Sequence, residues 1–394
     1  MEPKLSPHAL QKSDSYYTTN FTRILDDNFP QTQYSSRREC NKTAVSFGQR
    51  SLLISEIEFL TIALEKLAKK KEEKCNDPNE DLVNQFANLK VENDELKVLV
   101  IYAGAAGGKH LRLIIELFPS LTFLFIDPSP FFEYYSEFNN VTVDENLMTN
   151  ERANKIKEKY KEYKILYISD IRDSRFEKGK LGMSISNQII IDDMHKQREW
   201  YEILDPEMSY LKFRLPYPDQ KDVNQKHEFE YLDGHLYFLP WSRNTSTETR
   251  LLVTKKAKTK TYNILKYEQQ MFRYNVHERV LCYEHDIQSA GIDHCYDCFA
   301  EISILKSYLD FRTSHYNLEV ITINQFLERI NSFLQTPNER LVRMYYQNNE
   351  YDVWFNSMSY GKTETEIFTR FANRLALQRG PEYRVSSYER RLHL

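Results

Sequence analysis

The feature that most restricts this chain is a rhythm of short apolar runs. VLVIYAG (98–104), LTFLFIDP (121–128), VTV (141–143) and ILYISD (165–170) recur with polar, helix-length segments between them. Strands covered on both faces read as continuous apolar runs, and their alternation with helices leads to an α/β open parallel sheet rather than to a sandwich or bundle. Further strand signals follow in YLKFRLPYPD (210–219), HLYFLPW (235–241) and TRLLVTKKAKTKTYNIL (249–265), the last carrying a basic hairpin. Upstream, Leu52, Leu53, Ile57, Leu60, Ile62, Leu64 and Leu67 recur at helical spacing over 51–71 and predict one amphipathic helix, ending in the solvated run KKKEEK.

These signals divide the chain into an arm over 1–45, an α/β domain over 46–310 and an extension over 311–394. The arm is polar and carries Tyr34, Arg37 and Arg38. Within the domain, an acidic, amide-rich insertion at about 75–97 reads as a short helix. The extension reads as helical around 323–334 and 363–377, and its last 24 residues hold five Arg against two Glu. Hydrophobic residues at 41% exclude wholesale disorder, and no run approaches the roughly 18–20 apolar residues of a membrane span. The N-terminus lacks the apolar core of a signal peptide, and five cysteines, an odd number, fit a reducing cytosol better than a disulfide framework. With Lys+Arg 53 against Asp+Glu 57, any nucleic-acid surface is a local patch.

The segment VIYAGAAGGKHLRLI sets Gly104, Gly107 and Gly108 between a strand and a helix, where glycine permits a tight turn and close approach of a ligand to backbone amides. The same turn is common as plain structure. Asp127, 23 residues after Gly104, closes the next strand, where a carboxylate accepts both hydroxyls of a ribose. Lys109-His110 departs from the phosphate-binding signature, so a sulfonium cofactor, S-adenosylmethionine, suits the loop better than a dinucleotide. Leu147 and Met148 are either the apolar wall for its adenine or core residues. Asp170 ends a strand at the carboxyl edge, while Lys212 stands within an apolar strand and Glu248 just before another. Such charges are costly there without partners.

The blocks GQRSLLISEIEFL (48–60), VIYAGAAGGKH (100–110), ILYISDIR (165–172), LKFRLPYPD (211–219), ETRLL (248–252) and YEQQMF (267–272) resemble, in order over 34–310, the poxvirus cap-specific mRNA 2′-O-methyltransferases. That family also serves as the small, processivity subunit of a viral poly(A) polymerase. The resemblance implies a Rossmann-like methyltransferase fold, capped mRNA as substrate and heterodimer formation with a poly(A) polymerase catalytic subunit. It also implies a large DNA virus as source, with action in host cytoplasm, in the viral factory or packaged in the virion. It places Asp170, Lys212 and Glu248 in the last three roles of a Lys-Asp-Lys-Glu tetrad, Lys212 being the base for the 2′-OH and the acids its orienting partners. Gln49, Tyr102, Gly104, Gly108, His110, Asp127 and Arg172 would line the cofactor pocket, with Ser129 where the family has a basic residue.

The first tetrad lysine falls on Ser51, beside Arg50. Two acids flanking a lysine stabilise its ammonium form, and a second cation opposes that. The departure leaves a catalytically silent RNA- or cap-binding subunit as the rival reading, and methylation of another acceptor as a third. For the cap, a cationic 7-methylguanine calls for two aromatic faces and carboxylates. Tyr217 and Asp219, two apart, share a face of an extended segment, and the resemblance adds Tyr34 as the opposing ring and Glu268 as the second acid. Arg214, Arg243, Lys255, Lys256, Lys258 and Lys260 would track the RNA backbone beside this pocket. Separately, Cys282, His285, Cys295 and Cys298 form C-x2-H-x9-C-x2-C, a spacing compatible with tetrahedral zinc, or with thiols buried on a helix face.

Overall fold

A computed structural model describes residues 18–34, 42–43, 47–75, 96–106, 108–172, 187–218, 227–243, 246–281, 283–289, 292, 294–316, 320–334, 343–347 and 350–354. Strands β1 (Ile24–Leu25) and β2 (Lys42–Thr43) precede helix α1 (Gly48–Cys75). Then come β3 (Val98–Ala103), α2 (Leu111–Leu117), β4 (Thr122–Ile126), β5 (Val141–Asp144), α3 (Asn150–Lys159), β6 (Lys164–Ser169), α4 (Asn187–Leu204) and β7 (Met208–Phe213). The remainder is β8 (Glu228–Leu232), β9 (His235–Phe238), β10 (Thr249–Thr254), β11 (Thr259–Asn263), α5 (Ile264–Val276), α6 (Tyr296–His315), α7 (Ile323–Leu334), β12 (Arg343–Gln347) and β13 (Glu350–Trp354).

Eight strands form one sheet in the order β1-β9-β10-β7-β6-β3-β4-β5. Strands β7, β6, β3, β4 and β5 run parallel, and β10 lies antiparallel between β7 and β9. Chain order reverses direction across β3, with β4 and β5 on one side and β6 and β7 on the other. Sheets of this kind open a crevice at the carboxyl ends of the strands on either side of such a reversal. This is the Rossmann-like α/β architecture expected.

The period-2 alternation of the strands sorts their side chains onto two cores. Val98, Val100, Tyr102, Leu166, Ile168, Met208, Tyr210 and Leu252 face α1, α2, α6 and α7. Leu99, Ile101, Ala103, Tyr167, Leu211, Phe213 and Val253 face α3, α4 and α5. Helix α1 is sandwiched between the sheet and α6, so its middle is buried all round, with Leu53, Ile54, Ile57, Phe59 and Leu60 fully buried and the carboxylates of Glu56 and Glu58 among them. Phe59 stacks on Tyr210 at 5.0 Å and registers the helix on the sheet.

Several expectations are corrected. The basic segment after β10 is no hairpin: β11 pairs with β8 in a separate sheet, while β10 stays between β7 and β9. Because β10 runs antiparallel to β7, it starts at the carboxyl edge and delivers Lys255, Lys256 and Lys258 to the opposite edge, away from the candidate cap pocket. The described part of the arm joins the fold, with β1 pairing on β9. Helix α6 runs across position 310, where an extension was expected to begin, and α7 then packs Phe326, Leu327 and Ile330 into the α1-side core. The helix expected around 323–334 is α7, and the hairpin β12–β13, which pairs with β2, is an addition that the sequence reading did not name. The expected helices at 363–377 and in most of the 75–97 insertion lie outside the described residues. Among the described residues no helix is long and apolar enough to cross a membrane.

Candidate active site

Strand register builds the reactive row. Ser169 pairs with Leu211 and Lys212 with Arg250, so Asp170, one step beyond β6, comes level with both cations on the α1 face of the sheet. Lys212 Nζ lies 3.0 Å from Asp170 Oδ1 and 3.7 Å from Glu248 Oε2. Arg250 Nη2 reaches the same Asp170 oxygen at 2.6 Å and Glu248 Oε1 at 3.6 Å. Arg172 closes the far side, 4.0 Å from Glu248 and 3.6 Å from Asp193 of α4. Burial alone would raise the Asp170 pKa; the Arg250 and Lys212 charges outweigh it and hold the carboxyl at about 2. Burial works to lower the Arg250 pKa, and Asp170 and Glu248 reverse that to a net rise. Burial lowers the Arg172 pKa from its ordinary value against the pull of Glu248 and Asp193.

The glycine turn abuts this row. Gly104 adopts φ +84°, and a Cβ there would lie 2.8 Å from the Asp170 carbonyl carbon and the Ile171 nitrogen. Glycine thus lets the β3 and β6 ends approach each other. A Cβ at Gly108 would meet the Ala105 carbonyl oxygen at 2.8 Å; Gly107 lies outside the described residues. Asp127 accepts from the Ala106 and Ser129 amides at 3.2 and 2.8 Å, one per carboxylate oxygen. A carboxylate offers about four lone-pair directions, so this half-exposed group keeps capacity for two hydroxyls.

Beneath the turn, His110 is buried, its Nδ1 2.9 Å from Gln49 Oε1 and its Nε2 3.1 Å from both Glu56 oxygens. The Tyr102 hydroxyl donates to Glu56 at 2.8 Å, and burial, then Glu56, pushes its pKa up. Tyr102 and His110 therefore floor the turn, while exposed Gln49 reaches its rim. Leu147 is 66% exposed beside the Asp127 side of the sheet, and Met148 packs in the core.

Arg50 does not approach Lys212. Its guanidinium is buried against α6 and α7, 2.8 Å from Glu301, donating to Asn331 and lying 5.3 Å from the Trp241 ring. Ser51 is buried in the first turns of α1. Among the described residues, the cation that joins Lys212 in bonding Asp170 is Arg250.

On the cap side, Tyr217 is half-buried, with its backbone held at both ends by the Asn187 amide at 2.8 and 2.9 Å. The Arg214 guanidinium covers its ring at 4.5 Å. Tyr34 meets Phe272 of α5 edge-on at 5.3 Å, one helical turn from buried Glu268. Thr32 donates to the Gln269 carbonyl and the Gln270 amide to the Asp26 and Phe29 carbonyls, so α5 itself lays the arm beside Glu268. Asp219, Arg37 and Arg38 lie outside the described residues; Arg243 is exposed. Lys260 bonds Asp27 at 2.7 Å rather than facing the pocket.

The zinc expectation is not supported. Cys282 lies outside the described residues, and among those described no three His, Cys, Asp or Glu gather as metal ligands. Cys295 Sγ instead caps α6, accepting from the Cys298 amide at 3.4 Å, and His285 stacks on His294.

Arg250, Glu56 and Asp193 are absent from the sequence-based site set. Arg250 and Glu56 carry the signal that singles out Lys212, a charge in an apolar run. Residues 81–336 match the sequence model of the family described as Poly A polymerase regulatory subunit. The chain is also similar to the cap-specific mRNA (nucleoside-2′-O-)-methyltransferase of Fowlpox virus (strain NVSL), 26% identical over 256 residues, 61% of this chain and 79% of the relative. Its similarity to the protein of that description from Myxoma virus (strain Lausanne) is 23% over 254 residues, 60% and 69% of the two chains.

Proposed function

The chain belongs to the poly A polymerase regulatory subunit family, and from that premise we propose that it is an S-adenosylmethionine-dependent methyltransferase acting on the ribose 2′-OH beside an m7G cap. In the same reading it partners a poly(A) polymerase catalytic subunit in the cytoplasm of an infected cell. The observation that carries the reading is the convergence of Lys212 on Asp170 and Glu248 next to the Gly104 turn. The cofactor, when bound, supplies an electrophilic methyl group on a sulfonium. Asp127 fits its ribose hydroxyls, and the turn over Tyr102 and His110 fits its amino-acid end.

A hydroxyl is a weak nucleophile until it is aligned and loses its proton, and a positioned base supplies about 10²–10⁴ in rate. Lys212 is that base, with Asp170 and Glu248 fixing its direction. Arg250 shares Asp170 Oδ1 with the amine, so the carboxylate divides its pull between two cations instead of holding the lysine alone. Arg250 thereby takes over the electrostatic part of the absent first lysine. The resemblance assigns the cap guanine to Tyr217, Tyr34 and Glu268, with Asp219 as a further acid outside the described residues. The Arg214 guanidinium on the Tyr217 ring supports this assignment, because a face that stacks one planar cation suits another.

A second reading, a silent cap-binding regulatory subunit, draws on Arg50 being committed to Glu301. Methyl transfer to short capped and uncapped RNA separates the two. The natural chain is expected to methylate capped RNA, with Lys212→Ala about 10²–10⁴ slower. Activity surviving Lys212→Ala removes the proposed base; activity appearing only in Ser51→Lys identifies the silent subunit.

A further inference from the structure

Strand direction separates Lys255, Lys256 and Lys258 from Arg214 and Arg243, which the sequence reading set together beside the cap pocket. The KYKEYK turn (159–164) enters β6, and the KKAK turn (255–258) leaves β10. With β7 alone between them in the sheet, the two turns meet at its amino edge. Lys164 Nζ and Lys255 Nζ converge on one Glu207 oxygen, at 3.5 and 3.4 Å. Lys255 also reaches Asp205 at 3.3 Å; Lys256 and Lys258 are exposed on the second turn, and exposed Lys161 on the first lies 3.7 Å from Glu158. Lys164 stands six residues before Asp170, about 20 Å along the strand at roughly 3.3 Å per residue.

We propose that this amino edge is a second, sequence-independent binding track for single-stranded RNA, on the side of the sheet opposite the reactive row. The site lies beyond the methyl-transfer reading and does not depend on it. Lysine ammonium groups on two adjacent turns contact backbone phosphates as point charges. The half-buried rings of Tyr160 and Tyr163 lie edge to face at 5.4 Å within the first turn, with Lys159 Nζ 4.9 Å from the Tyr160 ring, and in this proposal unpaired bases stack against their exposed parts. Aromatic rings interleaved with lysines suit unpaired bases better than an acidic protein segment, which has nothing to stack.

The test uses the full chain and a fluorescently labelled, uncapped oligoribonucleotide of mixed sequence, titrated at several salt concentrations. Lys161→Glu/Lys256→Glu/Lys258→Glu alters only exposed side chains. It is expected to weaken binding at least tenfold and to make the dependence of log K on log salt shallower by about 2, since each lost single-strand phosphate contact contributes roughly 0.7. An unchanged melting temperature confirms folding. Methyl transfer to a capped RNA only a few nucleotides long, too short to reach the amino edge, is expected to stay at the natural rate. Unaltered affinity and salt slope overturn the proposal, as does loss of uncapped RNA binding on Tyr217→Ala alone. An edge that binds acidic polypeptide but not RNA also overturns it. A natural chain that methylates nothing yet loses uncapped RNA through the triple variant refutes the methyl-transfer reading and leaves this track standing.

Discussion

Asp170 serves two cations through one oxygen, and its chemistry follows from that. Its folded pKa of about 2 lies below the ordinary 3.8. The stabilisation, about 2 kcal/mol, is therefore complete above pH 4 and is lost as pH falls toward 2. Asp170→Asn removes the titration and leaves Lys212 and Arg250 short of a counter-charge, at a cost of about 3 kcal/mol near neutrality. Urea unfolding from pH 7 to pH 3 is expected to show the gap between the natural chain and this variant narrowing only below pH 4. Gly104→Ala forces a β-carbon against backbone atoms at positive φ, and about 2 kcal/mol of destabilisation is expected in the same measurement. At this scale the sequence displays Lys212, a charge in an apolar strand. Arg250 meets the same criterion, but its place beside Asp170 comes from the pairing of β10 on β7, a long-range register that no local pattern encodes.

Elements were legible where their signal is local. The four parallel strands announced by apolar runs, and α1 by its periodicity, lie where expected to within a few residues. Strand β11 was legible as a strand but not as a partner of β8, because pairing is a tertiary choice, and β1 is too short to carry any pattern. Strand β1 is held instead by Arg23, bidentate to Glu58 of α1 at 2.8 and 2.9 Å and bonded to the Phe238 carbonyl and the Tyr296 hydroxyl. Breaking one side of a buried pair strands the other charge, whereas replacing both with apolar groups is far milder. Arg23→Met is accordingly expected to cost about 3–5 kcal/mol in chemical denaturation, and Arg23→Met/Glu58→Leu substantially less. If the arm holds Tyr34 beside Glu268, Arg23→Met also raises KM for capped RNA with kcat little changed, while uncapped RNA binding is unaffected.

The described part of the molecule is knit together through α1. Arg50 near its start grips Glu301 on α6 and Asn331 on α7, and Glu301 also accepts from the Trp241 indole at 2.8 Å. The end of α6 and α7 are thus part of the same core, which local composition hides because α7 looks like any short amphipathic helix. A chain ending at residue 310 loses Phe326, Leu327 and Ile330, each fully buried. At about 1.5–3 kcal/mol per side chain, their removal forfeits about 5 kcal/mol or more, comparable with the whole stability of a typical domain. Arg50 also loses Asn331. Such a chain is expected to show no cooperative thermal transition, whereas one ending at residue 336, the limit of the family match, keeps every described core residue and is expected to melt cooperatively. Calorimetry of the two truncations decides the matter. A cooperative melt in the shorter chain would mean that α7 is an appendage, and that Arg50 owes its orientation to Glu301 and Trp241 alone.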